Sequence, residues 1–408
     1  MYRNIESKLL FIGLIVLAVS AATYAQALNK VKLDQFFDRL VEKDQAMGSN
    51  VIAKDGEVLY GRTIGYSQIG NGENKPIFTE TKFTETKFRV GSITKMFTAA
   101  IILQLADEAK INLDNKLAKF LPQIPNAEKI TIKQILTQRT GIQDIFEDSD
   151  LRPNRTEPIA KDELIAIIAK GKSEFEPDTK HSYSNSGYTL LGYIIEELTG
   201  KPYGKVLEER IISKIGLENT YLATGKNNVN KNESLSYRRF LWDWWNVTET
   251  HPSILYSPGG LISTPYDLVK FNKALFDRKI VSKESLEQMT TIRDGYGLGM
   301  ETFDFNEKTF YGHTGGIDNF GAWLAYLPEE KLIIVYTSNA KAYPVKHIMS
   351  GVIDIYYNKP FEIPALDFDY YAIFLILIFS IFLVLIVILL AVILFKKWKP
   401  KKPARQQI

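Results

Sequence analysis

The sequence predicts an α/β fold of the α+β kind: one antiparallel sheet built from N- and C-terminal strands, packed on a helical subdomain, plus one C-terminal transmembrane helix. Three observations predict it. Strand-type runs with hairpin turns lie near both ends of the body, apolar residues at helical spacing fill its middle, and a long uncharged apolar run follows it. The 408 residues, 45% hydrophobic and 24% charged, exclude intrinsic disorder and a coiled-coil rod. With 26 Gly and 16 Pro, near ordinary usage, collagen-like and low-complexity chains are excluded too.

Taken in order, the N-terminus, of which residues 1–25 read as the signal, carries Arg3 and Lys8, then an apolar run from Leu9 to Val19, then small residues at Ala21, Ala22, Ala25 and Ala27. That is the layout of a secretory signal peptide, with cleavage after Ala25 or Ala27; an uncleaved anchor helix is the other reading of these residues. The body, residues 28–358, opens with Leu33, Phe36, Phe37, Leu40 and Val41 spaced i, i+3, i+4, i+7 and i+8, which predicts an amphipathic helix over Val31 to Gln45 covering a sheet. Strand runs Val51 to Lys54 and Val58 to Tyr66 meet at Asp55-Gly56, a hairpin dipeptide. Period-3.6 patterns then predict helices over Lys95 to Ala109, Ile132 to Leu136, Lys161 to Ile168, Gly187 to Leu198 and Tyr203 to Ile211, with a polar loop at Gly225 to Ser236. A second hairpin joins Trp323 to Leu327 with Leu332 to Tyr336 through Pro328-Glu329-Glu330-Lys331.

Residues 359–371 read as a juxtamembrane linker. Ala372 to Phe395 are 24 residues without a charge. At about 1.5 Å per residue, such a helix crosses a hydrocarbon core of about 30 Å. Tyr370, Tyr371 and Trp398 flank it where amphipathic rings prefer the interface. Lys396, Lys397, Lys399, Lys401, Lys402 and Arg405 make residues 396–408 a basic cytoplasmic tail, which puts the body outside the cell. Removing these six charges from the net +3 leaves −3, so the body has no electrostatic footprint for nucleic acid. With no cysteine, disulfides, thiolate zinc sites, Cys nucleophiles and haem attachment are excluded.

The commoner catalytic signatures are missing: no Gly-x-Ser-x-Gly, no His-Glu-x-x-His, no phosphate loop and no dinucleotide fingerprint. Four histidines, His181, His251, His313 and His347, single out no triad. Ser92-Ile93-Thr94-Lys95 stands at the start of a predicted helix, where residues i and i+3 share a face and the lysine ammonium can reach the serine hydroxyl. Burial lets a lysine give up its proton, and the helix N-terminus favours developing negative charge. The pattern recurs at Ser338 to Lys341, and a capped helix with a solvated lysine explains either copy equally well. Tyr183-Ser184-Asn185 is a Tyr-x-Asn triplet in a loop between helices, also found at Tyr2 to Asn4 and Tyr356 to Asn358; a phenol near a cation can ionise and act as a base, or simply pack a turn. His313-Thr314-Gly315-Gly316 occurs once, just ahead of the Trp323 strand; it reads either as a bulge with a surface histidine or as a strand edge whose N–H groups serve an oxyanion.

Ser-x-x-Lys, then Tyr-x-Asn, then a Lys/His-Thr-Gly strand after a helical block resembles the serine β-lactamase and penicillin-binding-protein superfamily, nearest its class C β-lactamase-like branch. Only Ser92 precedes both other motifs. The resemblance extends over most of residues 30–340, including Leu113 to Pro122, Ile130 to Ile142, Ser182 to Gly200 and Ser257 to Thr264. It implies Ser92 as the acylated nucleophile, Lys95 as the partner lowering its proton affinity and Tyr183 as general base. It further implies an oxyanion hole from the N–H groups of Ser92 and Gly316, with Asn185, His313, Thr314 and Gly315 binding substrate. The implied protein is a membrane-anchored extracytoplasmic serine hydrolase without metal or cofactor. Its substrate would be a D-alanyl peptide, another small amide or an ester; a penicillin-binding sensor with little turnover and a small-ester esterase are the alternatives. His313 stands where efficient class C enzymes carry Lys, which is similar to peptidase, esterase and amidase members. Gln138-Arg139-Thr140-Gly141 departs from the family's His-Thr-Ser-Gly and reads as structural. The Trp-rich stretch Arg238 to Trp245 reads as a hydrophobic cluster under a loop, as a wall of the substrate cleft, or as a contact with the bilayer.

Overall fold

The computed structural model describes residues 28–70, 78–80, 84–148, 151, 154–225, 232–240, 243–340, 343–361 and 370–397. The predicted signal peptide, Lys341, Trp242, Trp398 and the rest of the basic tail lie outside the described residues. Six strands form the main sheet: β1 (Gly48–Lys54), β2 (Glu57–Ile64), β3 (Glu301–Phe305), β4 (Lys308–Ile317), β5 (Phe320–Leu327) and β6 (Leu332–Ser338). Their order is β3-β4-β5-β6-β1-β2, antiparallel throughout, so the first strand of the chain pairs with the last.

Both faces of this sheet are covered, which explains why β6 is a continuous apolar run. Leu332, Ile334 and Tyr336 point to one side and Ile333 and Val335 to the other, each buried. On the first side lie α1 (Lys30–Glu42), through Leu33, Phe36, Phe37 and Leu40, and α10 (Val345–Tyr356), through Ile348, Val352 and Ile353. Each fully buried side chain of this size contributes about 1.5–3 kcal/mol. On the second side sits the helical subdomain: α2 (Thr94–Asp107), α3 (Ile132–Leu136), α4 (Lys161–Lys170), α5 (Asn185–Thr199), α6 (Tyr203–Leu207), α7 (Pro252–Gly259), α8 (Pro265–Phe276) and α9 (Lys283–Met289). Helix α2 is buried nearly all round because α5 and α7 pack on it and Phe97 stacks on Phe271 of α8. Thr131 and Gln134 close a capping box at the start of α3.

The antiparallel sheet and its helical partner agree with the sequence reading, and the differences have local causes. The first helix ends at Glu42, three residues short of Gln45, because Asp44 takes φ +50° and the Gln45 N–H turns back to the Leu40 carbonyl. The strand expected to run to Tyr66 breaks at Gly65 (φ +66°), and Tyr66–Ile69 pairs instead with Phe78–Glu80. The helix expected over Tyr203 to Ile211 widens into a π-turn at Glu208–Ile212. The bulge or turn reading of His313 to Gly316 is corrected: these residues lie inside β4, paired with β5. Its hairpin partner β3 went unseen because the turn, Asn306-Glu307, reaches positive φ without a glycine. The Trp-rich stretch forms a hairpin of Tyr237–Phe240 and Asp243–Asn246.

Helix α11 (Tyr370–Lys397) begins two residues inside the expected linker and runs two residues past Phe395. Its Ile373–Phe395 segment is long and apolar enough to cross a membrane, and none of it is buried against the domain.

Strand β4 lies backbone to backbone on the turn Gly91–Ile93 that precedes α2. A Cβ on Gly315 would come 1.9 Å from the Val90 carbonyl oxygen, whereas one on Gly316 would meet nothing within 4 Å. Gly315→Ala should therefore destabilise the domain by about 1–3 kcal/mol through overpacking. Denaturant unfolding should show that loss while Gly316→Ala shows much less; equal losses would overturn the contact.

Candidate active site

The turn Gly91–Ile93 presents Ser92 at the head of α2. Gly91 has φ +50°, and a Cβ there would lie 2.7 Å from the Gly316 nitrogen, so glycine is what lets the turn approach β4. Thr94 staples the turn by donating its hydroxyl to the Gly91 carbonyl at 2.7 Å. One helical turn past Ser92, Lys95 is fully buried, and its Nζ reaches three oxygens: Ser92 Oγ at 3.1 Å, Asn185 Oδ1 at 2.7 Å and the Pro258 carbonyl at 3.0 Å. Burial pulls the Lys95 ammonium down to about 7, opposed by the charges of Asp144 and Glu301.

The orientation of Asn185 follows from its neighbours. Asp144 Oδ2 accepts both the Asn185 N–H at 3.1 Å and Asn185 Nδ2 at 2.8 Å, so the amide turns its oxygen to Lys95. Two of the three groups around Nζ, an amide oxygen and a peptide carbonyl, can only accept. A neutral amine donates its two hydrogens to them and is left with its lone pair facing Ser92. The Pro258 carbonyl is brought there by a kink in α7, where Tyr256 takes φ +29° and its hydroxyl is held by Glu196 at 2.5 Å.

Tyr183 comes from the loop before α5, with Lys95 Nζ 4.7 Å from its ring centre. Its Oη is buried without a hydrogen bond of good geometry. Burial pushes this phenol well above its ordinary value; the nearby Ser92 hydroxyl lowers it and the Glu301 charge raises it further. The loop is pinned by the segment read as structural. Gln138 accepts the Ser184 N–H at 2.9 Å through its side chain and the Ser182 N–H at 2.9 Å through its backbone, while Arg139 bonds Asp178 and Asp294.

The third wall is the free end of β4. Strand β3 reaches only to the Glu301–Gly312 pair, so His313 to Ile317 have β5 on one side and an open edge on the other. The Thr314 N–H leaves on the open side, where Glu301 Oε2 accepts it at 2.9 Å. Alternation along a strand puts the Gly316 N–H on that same side, beside the Gly91-Ser92 turn. His313 is fully buried and does not line the cleft. Its Nδ1 lies 2.6 Å from the Thr314 carbonyl, which fixes the proton there and leaves Nε2 to accept from the Tyr296 hydroxyl at 3.0 Å. Burial lowers its proton affinity, against the pull of Glu301.

A cleft of about 590 Å³ results, lined by Ser92, Tyr183, Thr314 and Gly316 with His181, Gly295, Tyr296, Glu301, Thr302 and Phe303. Lys95, Asn185, His313 and Gly315 stand behind its surface. The chain thus brings Ser92, Lys95, Tyr183, Asn185 and the β4 residues together. Ser338 lies in β6 and Tyr356 closes α10, both away from the cleft, and neither Trp244 nor Trp245 lines it. Sequence reasoning missed Asp144, Glu301, Tyr296 and the pinning role of Gln138 and Arg139. Asp144, Glu301 and Tyr296 sit in no motif, where only the Glu301, Phe303, Phe305 alternation was there to be read, while Gln138 and Arg139 belong to the segment read as structural.

A sequence model of the family described as Beta-lactamase matches residues 33–351. Penicillin-binding protein 4* of Bacillus subtilis (strain 168) is 25% identical over 364 residues, covering 82% of this chain and 78% of that protein. Teichoic acid D-alanine hydrolase of Staphylococcus aureus (strain NCTC 8325 / PS 47) is 25% identical over 348 residues, covering 80% and 78%. Among solved structures, a D-stereospecific amidohydrolase from Streptomyces sp. superposes with TM-score 0.67 at 27% identity, covering 80% of this chain and 98% of that one. The match takes in the Ser92 turn, the Tyr183 loop and the open edge of β4, and over so much of its length the chain belongs to the beta-lactamase family of serine hydrolases.

Proposed function

We propose that this chain is a membrane-anchored, outward-facing hydrolase that forms an acyl-enzyme on Ser92 and acts on D-aminoacyl peptides, amides or esters. One observation carries it: a buried Lys95 amine whose other two neighbours can only accept, so that its lone pair faces the Ser92 hydroxyl. Ser92 passes its proton to Lys95 as Oγ attacks the carbonyl carbon. The N–H groups of Ser92 and Gly316 hold the oxyanion; removing such a donor typically costs about 2.7–4 kcal/mol of transition-state stabilisation. The C–N or C–O bond then breaks, the leaving amine or alcohol takes the proton from Lys95, and water hydrolyses the acyl-Ser92 ester by the reverse relay.

The proton-accepting role moves here from Tyr183 to Lys95. Burial holds the phenol protonated, which suits it to donate to Ser92 Oγ and to the leaving group rather than to act as an ionised base. Asn185, with both ends of its amide engaged, acts by aiming Lys95. The relatives named for teichoic acid D-alanine and for D-stereospecific amide hydrolysis support the substrate class. The exposed apolar helix α11 and the basic residues after it support the anchor and an outside domain.

A fluorescent penicillin should label the full-length protein and then be released, and Ser92→Ala should abolish labelling without changing the unfolding midpoint; labelling that survives the substitution overturns the nucleophile. Because the Lys95 ammonium is held at about 7, far below the ordinary lysine value, the amine form grows as pH rises. Acylation kcat/KM should therefore climb through about pH 7 and then level off. Asp144→Asn, which removes a negative charge that favours the ammonium, should move this limb to lower pH. A rate with no limb near pH 7 that starts to rise only well above pH 10 would return the role to a Tyr183 phenolate.

A further inference from the structure

Glu301 transfers no proton in the acylation chemistry and acts there only through its charge on Lys95 and Tyr183, yet it lies on the cleft wall with Ser92 and Tyr183. It opens β3, and its side chain crosses to the unpaired end of β4, where Oε2 accepts both the Thr314 N–H and the Thr314 hydroxyl at 2.9 Å. Its other oxygen, Oε1, has no hydrogen-bond partner among the described residues, and the side chain is 21% exposed. No Lys, Arg or further carboxylate lines the cleft among the described residues, and His181, the imidazole lining it, is pushed toward neutrality by burial.

Two consequences follow. A substrate carboxylate has nowhere to dock on this edge, because a resident carboxylate already takes both donors of Thr314 and repels a second anion. A cation, by contrast, meets a half-engaged carboxylate on a low-dielectric wall beside the nucleophile. We propose that Glu301 is an ammonium receptor, and that the substrates are aminoacyl amides or esters with a free α-amine and no free carboxylate next to the scissile bond. This rests on the Ser92 hydrolase reading and narrows it, away from carboxypeptidase action. In the reaction Ser92 Oγ bonds to the aminoacyl carbon and the amine or alcohol departs. The ammonium stays on Glu301 until water releases the free amino acid.

The test uses full-length protein in detergent and three chromogenic or peptide substrates: D-alanine p-nitroanilide, its N-acetyl derivative, and N-acetyl-D-alanyl-D-alanine. The free amine should be favoured over both others by about ten- to hundredfold in kcat/KM, the worth of one charge-assisted hydrogen bond. Glu301→Gln should erase most of that preference through KM, and Glu301→Lys should turn it toward the carboxylate-bearing peptide. Equal use of amine and N-acetyl substrates by the native protein, or a preference unchanged in Glu301→Gln, overturns the proposal. Calorimetric binding of D-alaninamide to Ser92→Ala protein reads the ammonium site without turnover: weakening by about tenfold on adding Glu301→Gln supports it, and no change overturns it. Native protein that binds D-alaninamide through Glu301 but cleaves none of the substrates, nor p-nitrophenyl acetate, would sink the hydrolase reading and leave the receptor standing.

Discussion

A lysine amine with no contact to water is the constraint around which the rest of this molecule is arranged. Burying it charged would be costly, so its surroundings must offer either a counter-charge or a way to lose the proton. The chain supplies a compromise: Asp144 and Glu301 favour the ammonium, and burial prevails far enough to bring it near neutrality. Helix α2 must be encased on all sides for that burial. The kink at Tyr256 must deliver the Pro258 carbonyl, and Asp144 must hold Asn185 so that an oxygen, not an NH₂, faces Nζ.

The remaining walls depend on close backbone approach. Glycine at 91 and at 315 lets the Ser92 turn and strand β4 pack with no side chain between them. The Tyr183 loop cannot be fixed that way, since it belongs to no regular element. It is tied instead by Gln138 and by the Arg139 pairs to Asp178 and Asp294, one buried guanidinium serving two more exposed carboxylates. Rigid elements position Ser92 and the open edge of β4, while a pinned loop positions the Tyr183 phenol.

Much of the fold was legible because its signals are local. The Asp55-Gly56 turn, the 3.6-residue patterns from Lys95 to Leu198 and the apolar run from Ala372 each announce one element. Strand β3 was not legible, since Glu307, unlike Asn306, does not advertise positive φ. In the site, Ser92, Lys95, Tyr183 and the His313 to Gly316 strand were readable through order and spacing. Their roles were less so. His313 is tied to Tyr296 behind the cleft, and Asn185 points at Lys95, because burial and partners decide what a side chain can do. Asp144 and Glu301 carry no motif; each matters through a neighbour more than 10 positions away, which no local pattern encodes.

Pairing the first strand with the last also governs how the polypeptide matures. Asn50 on β1 donates its side-chain amide to the Val335 carbonyl of β6, 285 residues downstream. At ~5–20 residues per second, a ribosome takes roughly 15–60 s to make what separates them. For that time β1 and β2 have no β6 to pair with, and a lone two-stranded hairpin is marginal in water. The centre of the sheet, where β1 meets β6, is therefore the last part of it that the growing chain can close.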